Sequence, residues 1–250
     1  MNPTANQVIE IDLKTRYGHV QGKLAIPPLP IRLSELAYSF LSMDERLIQM
    51  ASTADTKAGN KISCAKGCSA CCSQLVPISP AEAFMLFEMV RSFPLNRKTA
   101  ILEKFAQTNN RLGMADFEER YLSLKQDKHR VEKMGREYQR LGLPCPFLEE
   151  DACSIHPNRP TACREFLATT PASNCIDPFL SEVRSVPLAV SLTECLSKLS
   201  AIVMGGEPQV IPLTLALNWA AENQDLGRQT FEAKYLLETL VELMAENLRL

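Results

Sequence analysis

The sequence predicts a mainly α fold, a helical domain built around an irregular, cysteine-rich core. Three observations predict it. Apolar residues recur at helical spacing through most of the chain. Two stretches break that rhythm, and they hold eight of the nine cysteines. Strand-like alternation appears only near the N-terminus, so the strand–helix succession of an α/β fold is missing. We divide the 250 residues into an N-terminal extension, 1–30, and a single helical domain, 31–250, whose cysteine-cluster segment spans 64–175.

Taken in order, Gln7–Leu13 and His19–Ile26 can pair as a short β-hairpin around Tyr17-Gly18, and Pro27, Pro28 and Pro30 make an extended connector. From Ser34 to about Ala58, Leu36, Ala37, Phe40, Leu41, Leu47 and Ile48 give one buried helical face, ended by Gly59-Asn60. Ser79-Pro80-Ala81-Glu82 is a helix start: a Ser cap, proline in the first turn and a glutamate placed to close a capping box. The Met and Phe stripe behind it (Phe84, Met85, Phe87, Met89) reads as core packing.

Residues 97–112 and 116–141 read as two further helices. The second places Val131, Met134, Tyr138 and Leu141 on one face and stops at Gly142 and Pro144. Another helix carries Leu188, Leu192, Cys195, Leu196, Leu199, Ile202 and Val203 up to Gly205-Gly206. Cys195 lies on its apolar face and reads as a small hydrophobe. Residues 210–226 and 229–248 complete the helices, the last with Phe231, Tyr235, Leu236, Leu240, Val241, Met244 and Leu248 inward.

The two aperiodic stretches carry the chemistry. The first is Cys64-x3-Cys68-x2-Cys71-Cys72, four thiols in nine residues, with Gly67 and small neighbours leaving room around the sulfurs. The second holds Cys145, Cys153, Cys163 and Cys175 in an irregular run, 145–178, that contains five prolines. So long a loop inside a domain implies an organising element such as a metal. Clustered thiolates select zinc, copper(I) or iron–sulfur clusters.

A disulfide framework needs an oxidising compartment that nothing in the sequence signals, and it must tolerate the vicinal pair. Residues 1–7 have neither the basic nor the apolar region of a signal peptide, no apolar run suits a membrane span, and no basic run suits nucleic acid at a net charge of -2. The expected setting is cytoplasmic, with a metal ion or cluster as partner, no nucleic acid and no membrane. Any protein partner is left open.

Cys71 and Cys72 diverge on a helix or a strand, so one small ion cannot take both. Either two mononuclear sites share the loop, or one polynuclear cluster spans it. Pro160 suits a helix start that places Cys163 in a first turn, where the helix dipole favours a thiolate. Lys66, Arg159 and Arg164 are candidates to neutralise the anionic site, and His156 is a further nitrogen donor. His19 and His129 read as solvated side chains.

Both cysteine groups, with Cys145-Pro-Phe-Leu and Arg159-Pro160-x2-Cys163-Arg164-x-Phe166, resemble the YkgJ-type cysteine-cluster family of zinc- or iron-chelating domains, also labelled iron–sulfur-cluster proteins. The resemblance implies metal binding by Cys64, Cys68, Cys71, Cys72, Cys145, Cys153, Cys163 and Cys175. It assigns no ligand role to His156, where the family more often has Tyr. The vicinal pair favours an iron–sulfur cluster over zinc, because irons spread over several ångströms can meet diverging sulfurs. Two other functions fit the pattern. One is an S-adenosylmethionine- or redox-dependent iron–sulfur enzyme such as a protein-modifying methylase, since C-x3-C-x2-C matches that spacing and flagellin lysine methylases resemble this cluster. The other is a structural zinc module presenting a helical protein-binding surface.

Overall fold

A computed structural model describes residues 7–123 and 128–248. The chain opens with a hairpin, β1 (Val8–Thr15) and β2 (Gly18–Ala25), paired antiparallel from Val8↔Ala25 to Thr15↔Gly18. Ile9, Ile11, Leu13 and Val20 lie on its buried face and join the main core. This is the expected hairpin, and α10 (Ala233–Glu246) packs against it.

The central pair is α1 (Leu33–Lys57) and α2 (Pro80–Ser92). In α2 the Ser79 hydroxyl accepts the Glu82 N–H while the Glu82 carboxylate accepts the Ser79 N–H, closing the expected capping box. The helix is buried over most of its length, so its Phe and Met stripe is core. It packs also on α8 (Ala216–Glu222). There Gly227, at the end of α9 (Gln224–Gly227), lies so close to Phe84 that a Cβ would stand 2.7 Å from that ring.

On the far side follow α3 (Leu95–Leu112), α4 (Met114–Leu122) and α5 (Lys128–Arg140). The single helix expected over 116–141 is thus two, and 124–127 lie outside the described residues. Met134 and Tyr138 are buried as expected, but Val131 and Leu141 are exposed, so the inward face of α5 is narrower than its apolar spacing suggests. α7 (Leu192–Met204) and α10 pack together. The segment expected as one helix over 210–226 begins instead with β6 (Ile211–Pro212), which pairs with β3 (Pro77–Ile78) before α8 starts. Pro212 explains the break, since it cannot continue a helix across its own nitrogen. In α10, Tyr235 faces solvent rather than the core.

Cys195 is fully buried in α7 and its thiol lies 3.7 Å from the Leu243 carbonyl of α10. It lies on the buried face of α7, outside the two cysteine-bearing segments, as its apolar spacing predicts. Cys195→Ala should cost about 1 kcal/mol in a thermal melt and leave metal content unchanged. Loss of metal in that variant would contradict the separation.

Candidate metal centre

Two aperiodic segments meet at the end of α1. The first runs from Gly59 to β3 as successive tight turns, with Cys68 N–H to Ala65 O at 3.0 Å, Cys72 N–H to Ser69 O at 2.8 Å and Gln74 N–H to Cys71 O at 3.1 Å. Gly67 supplies the left-handed step among them, φ 86°. Tight turns here put four sulfurs within three bends of chain.

The second segment contributes three pieces. The hairpin β4 (Leu148–Glu149) and β5 (Ala152–Cys153) turns through Glu150 and Asp151, both at positive φ, and brings Cys153 back beside Cys145. The short helix α6 (Thr161–Glu165) carries Cys163, and a 3₁₀ turn, Ala172–Ile176, carries Cys175. Pro160 is the residue that caps α6, so Cys163 does lie in a first turn.

Hydrogen bonds sew these pieces to the first segment. Cys145 N–H donates to Cys72 O at 2.6 Å, Ser63 N–H to Ala168 O at 2.8 Å, and the Gln74 amide to Cys175 O at 2.6 Å. α6 is further pinned by Glu82, whose other oxygen accepts the Thr161 N–H at 2.7 Å and hydroxyl at 2.8 Å. The capping residue of α2 therefore also fixes the helix that holds Cys163. The capping box is readable in sequence, but this second task is not.

Electrostatics sort the sulfurs. Charge on Cys71 and Cys68 pushes up the thiols of Cys64 and Cys175, each already raised by burial, and Cys64 adds to the effect on Cys175. Cys145 and Cys163 instead act on Cys72, and Cys153 acts on Cys145 and Cys163. Cys71 is felt by members of both sets. It is itself drawn down, first by its interaction with the adjacent Cys72 thiol, which is pushed up in return. Cys64 and Cys175 thus feel Cys68 and Cys71, while Cys145, Cys153 and Cys163 act on one another or on Cys72, and Cys71 bears on both groups.

For Cys163 the expected thiolate stabilisation does not prevail. Burial first, then Cys145, Cys71 and Cys153, raise it well above the usual thiol value. One turn of helix is a small dipole against several neighbouring sulfurs.

The donor set fits a soft metal. Backbone N–H groups point at four sulfurs: Ala168 to Cys64 at 3.2 Å, Phe147 to Cys145, Ile155 to Cys153, and Cys71 to its own sulfur. Such donors favour thiolate over thiol and are what a thiolate-bound metal needs around it. The sulfurs are not drawn into a closed tetrahedron, for among the described residues no three His, Cys, Asp or Glu side chains are grouped as metal ligands.

Of the charged candidates, Arg159 acts on Cys64, Cys71, Cys153 and Cys163, favouring their thiolates. Arg164 is committed elsewhere. It pairs with Glu45 at 3.1 Å, donates from Nε to Arg159 O at 3.1 Å and also reaches Pro157 O, so it clamps α1 to the loop. Lys66 and His156 are exposed. Sequence reading missed the buried carboxylic acids behind the site. Asp44 in α1 is 2% exposed, and Glu165 caps α7 by accepting Leu192 N–H at 2.6 Å and the Ser191 hydroxyl at 3.0 Å. The signal for Asp44 was present, since it stands four residues after Phe40 and three before Leu47 on the apolar stripe.

Residues 63–182 match the CxxCxxCC family model, described as a "putative zinc- or iron-chelating domain". The match covers the stretch that holds all eight clustered cysteines and supports metal binding. No curated protein and no solved structure matches the chain. Among the described residues no helix is long and apolar enough to cross a membrane.

Proposed function

We propose that this chain binds metal through all eight clustered cysteines, held as two adjoining four-thiolate sets. One is Cys64, Cys68, Cys71 and Cys175; the other is Cys72, Cys145, Cys153 and Cys163. The observation that carries this reading is the pair of hydrogen bonds joining the two cysteine-bearing segments, Cys145 N–H to Cys72 O on one side and the Gln74 amide to Cys175 O on the other. Divergent neighbours need not meet at one point if each serves its own set.

An iron–sulfur cluster and zinc both suit such a set. Zinc takes four thiolates in a closed tetrahedron, and iron–sulfur clusters take four cysteines at their corners. The vicinal pair favours a cluster only while all eight sulfurs face one centre. Once bound, iron would supply redox chemistry and zinc a rigid cross-link. Metal would displace protons from the raised thiols, so affinity should climb with pH.

The test is purification without oxygen followed by metal and sulfide assay. Brown protein with acid-labile sulfide and an absorption band bleached by dithionite identifies iron–sulfur. Colourless protein with about two zinc ions identifies paired zinc sites. Under the two-set reading, Cys68→Ser and Cys163→Ser should each remove about half of the metal. Either one removing all of it would indicate a single shared centre, and metal-free wild-type protein would overturn the reading altogether.

A further inference from the structure

A cavity of about 510 Å³ lies beside the metal centre, between the last turns of α1 and the 159–167 segment. Its volume falls within the ordinary range for small-molecule sites. Ile48, Ile62 and Leu167 give it an apolar wall, and Gln49, Ser52, Thr53 and Thr56 give it a polar one. Three cations and one carboxylate line it: Lys57, Arg159, Arg164 and Glu45. Glu45 is consumed by Arg164 at 3.1 Å. Arg159 and Lys57 therefore remain without an ion-pair partner among the described residues, and the cavity keeps a positive excess.

Two donors in this wall are unused. The Arg159 Nε is buried without a hydrogen-bond partner, and so is the Ser52 hydroxyl on a residue only 8% exposed. A buried guanidinium N–H left unpaired is costly, because it has lost water without replacement. Arg159 could have been folded against a carboxylate; instead its fork lies between the sulfurs and this cavity.

We propose that the cavity binds a small organic acid, its carboxylate or phosphate group on Arg159 and Ser52 and its apolar body against Ile48, Ile62 and Leu167. A planar guanidinium matches either oxyanion with two parallel hydrogen bonds. Lys57 at the outer edge attracts the ligand without contacting the sulfurs. The bound acid would sit at the edge of the metal centre, since the same guanidinium acts on Cys64, Cys71, Cys153 and Cys163. The inference stands on the cavity and does not require the metal assignment to be correct.

Calorimetric titration of the purified full chain with inorganic phosphate, acetate and hexanoate tests it, with metal content assayed on the same samples. Saturable binding is expected, with hexanoate tighter than acetate if a carboxylate is the natural group and phosphate tighter than both if a phosphate is. Arg159→Gln should weaken binding by about 10- to 100-fold, and Arg159→Lys by less, because a point charge replaces the fork. Lys57→Gln, an exposed change unable to disturb folding or the sulfurs, should weaken it by a few fold and leave metal unchanged.

Metal-loaded wild type that binds none of the three anions, or binding untouched by both Arg159→Gln and Lys57→Gln, overturns the cavity and leaves the metal reading intact. Saturable binding by metal-free protein does the reverse.

Discussion

Chelating the metal should loosen residues 59–78 and 145–178 while the helices around them keep their protection. Structural zinc contributes about 10–16 kcal/mol in small domains that do not fold without it. Here that energy has a local address. The first cysteine segment contains neither helix nor strand before β3, and the second contains only β4, β5, α6 and two 3₁₀ turns. Few hydrogen bonds tie them together, chiefly Cys145 to Cys72, Ser63 to Ala168 and Gln74 to Cys175.

The helices have apolar packing of their own: α2 is buried between α1 and α8, and α7 is packed on α10. Hydrogen exchange before and after chelation should show protection falling by several orders of magnitude in the two segments. α6 should respond less than its neighbours, because Glu82 holds Thr161 from the core side. Equal loss throughout α2, α7 and α10 would show that the metal nucleates the whole fold.

What could be read from the sequence follows from where each signal is local. The hairpin, α1, α2 and α3 are written in alternation, apolar spacing and caps, which act within a few residues. The two cysteine-rich stretches are equally plain, since their spacing is local, and the family match falls on both of them. The approach of Cys145 to Cys72 is not, because it joins positions some seventy residues apart in the chain. Arg159 and Arg164 look alike in sequence, yet Glu45 on another helix takes one and leaves the other. Tyr235 and Val131 were placed inward by spacing alone, and the structure exposes both, since spacing does not say how wide a stripe of a helix is covered.

Asp44→Asn should stabilise the protein at pH 8 and remove much of a downward slope in stability between pH 5 and 8. Asp44 is buried in the stripe of α1, its Oδ2 has no hydrogen-bond partner, and it is pushed up to about 8. Burial is the main cause, joined by Glu165, Glu82 and Glu45 and opposed by Arg164. Glu165 is pushed up to about 7, again first by burial.

A carboxyl raised in the folded state holds a proton that the unfolded chain releases above about pH 4. The folded form therefore binds more protons through that window, and stability falls as pH rises until the folded group ionises near 8. The full shift corresponds to about 5 kcal/mol as an upper bound, which relaxation of the surroundings will reduce. The metal centre slopes the other way, because acid protonates its ligands. Subtracting wild type from Asp44→Asn cancels that contribution, as Asp44 is not a ligand. We expect the variant to melt about 4–8 °C higher at pH 8, equivalent to about 2 kcal/mol, with the advantage shrinking toward pH 5. A difference that stays constant with pH, or a variant that melts lower at pH 8, would mean that Asp44 is ionised and paired in the folded protein.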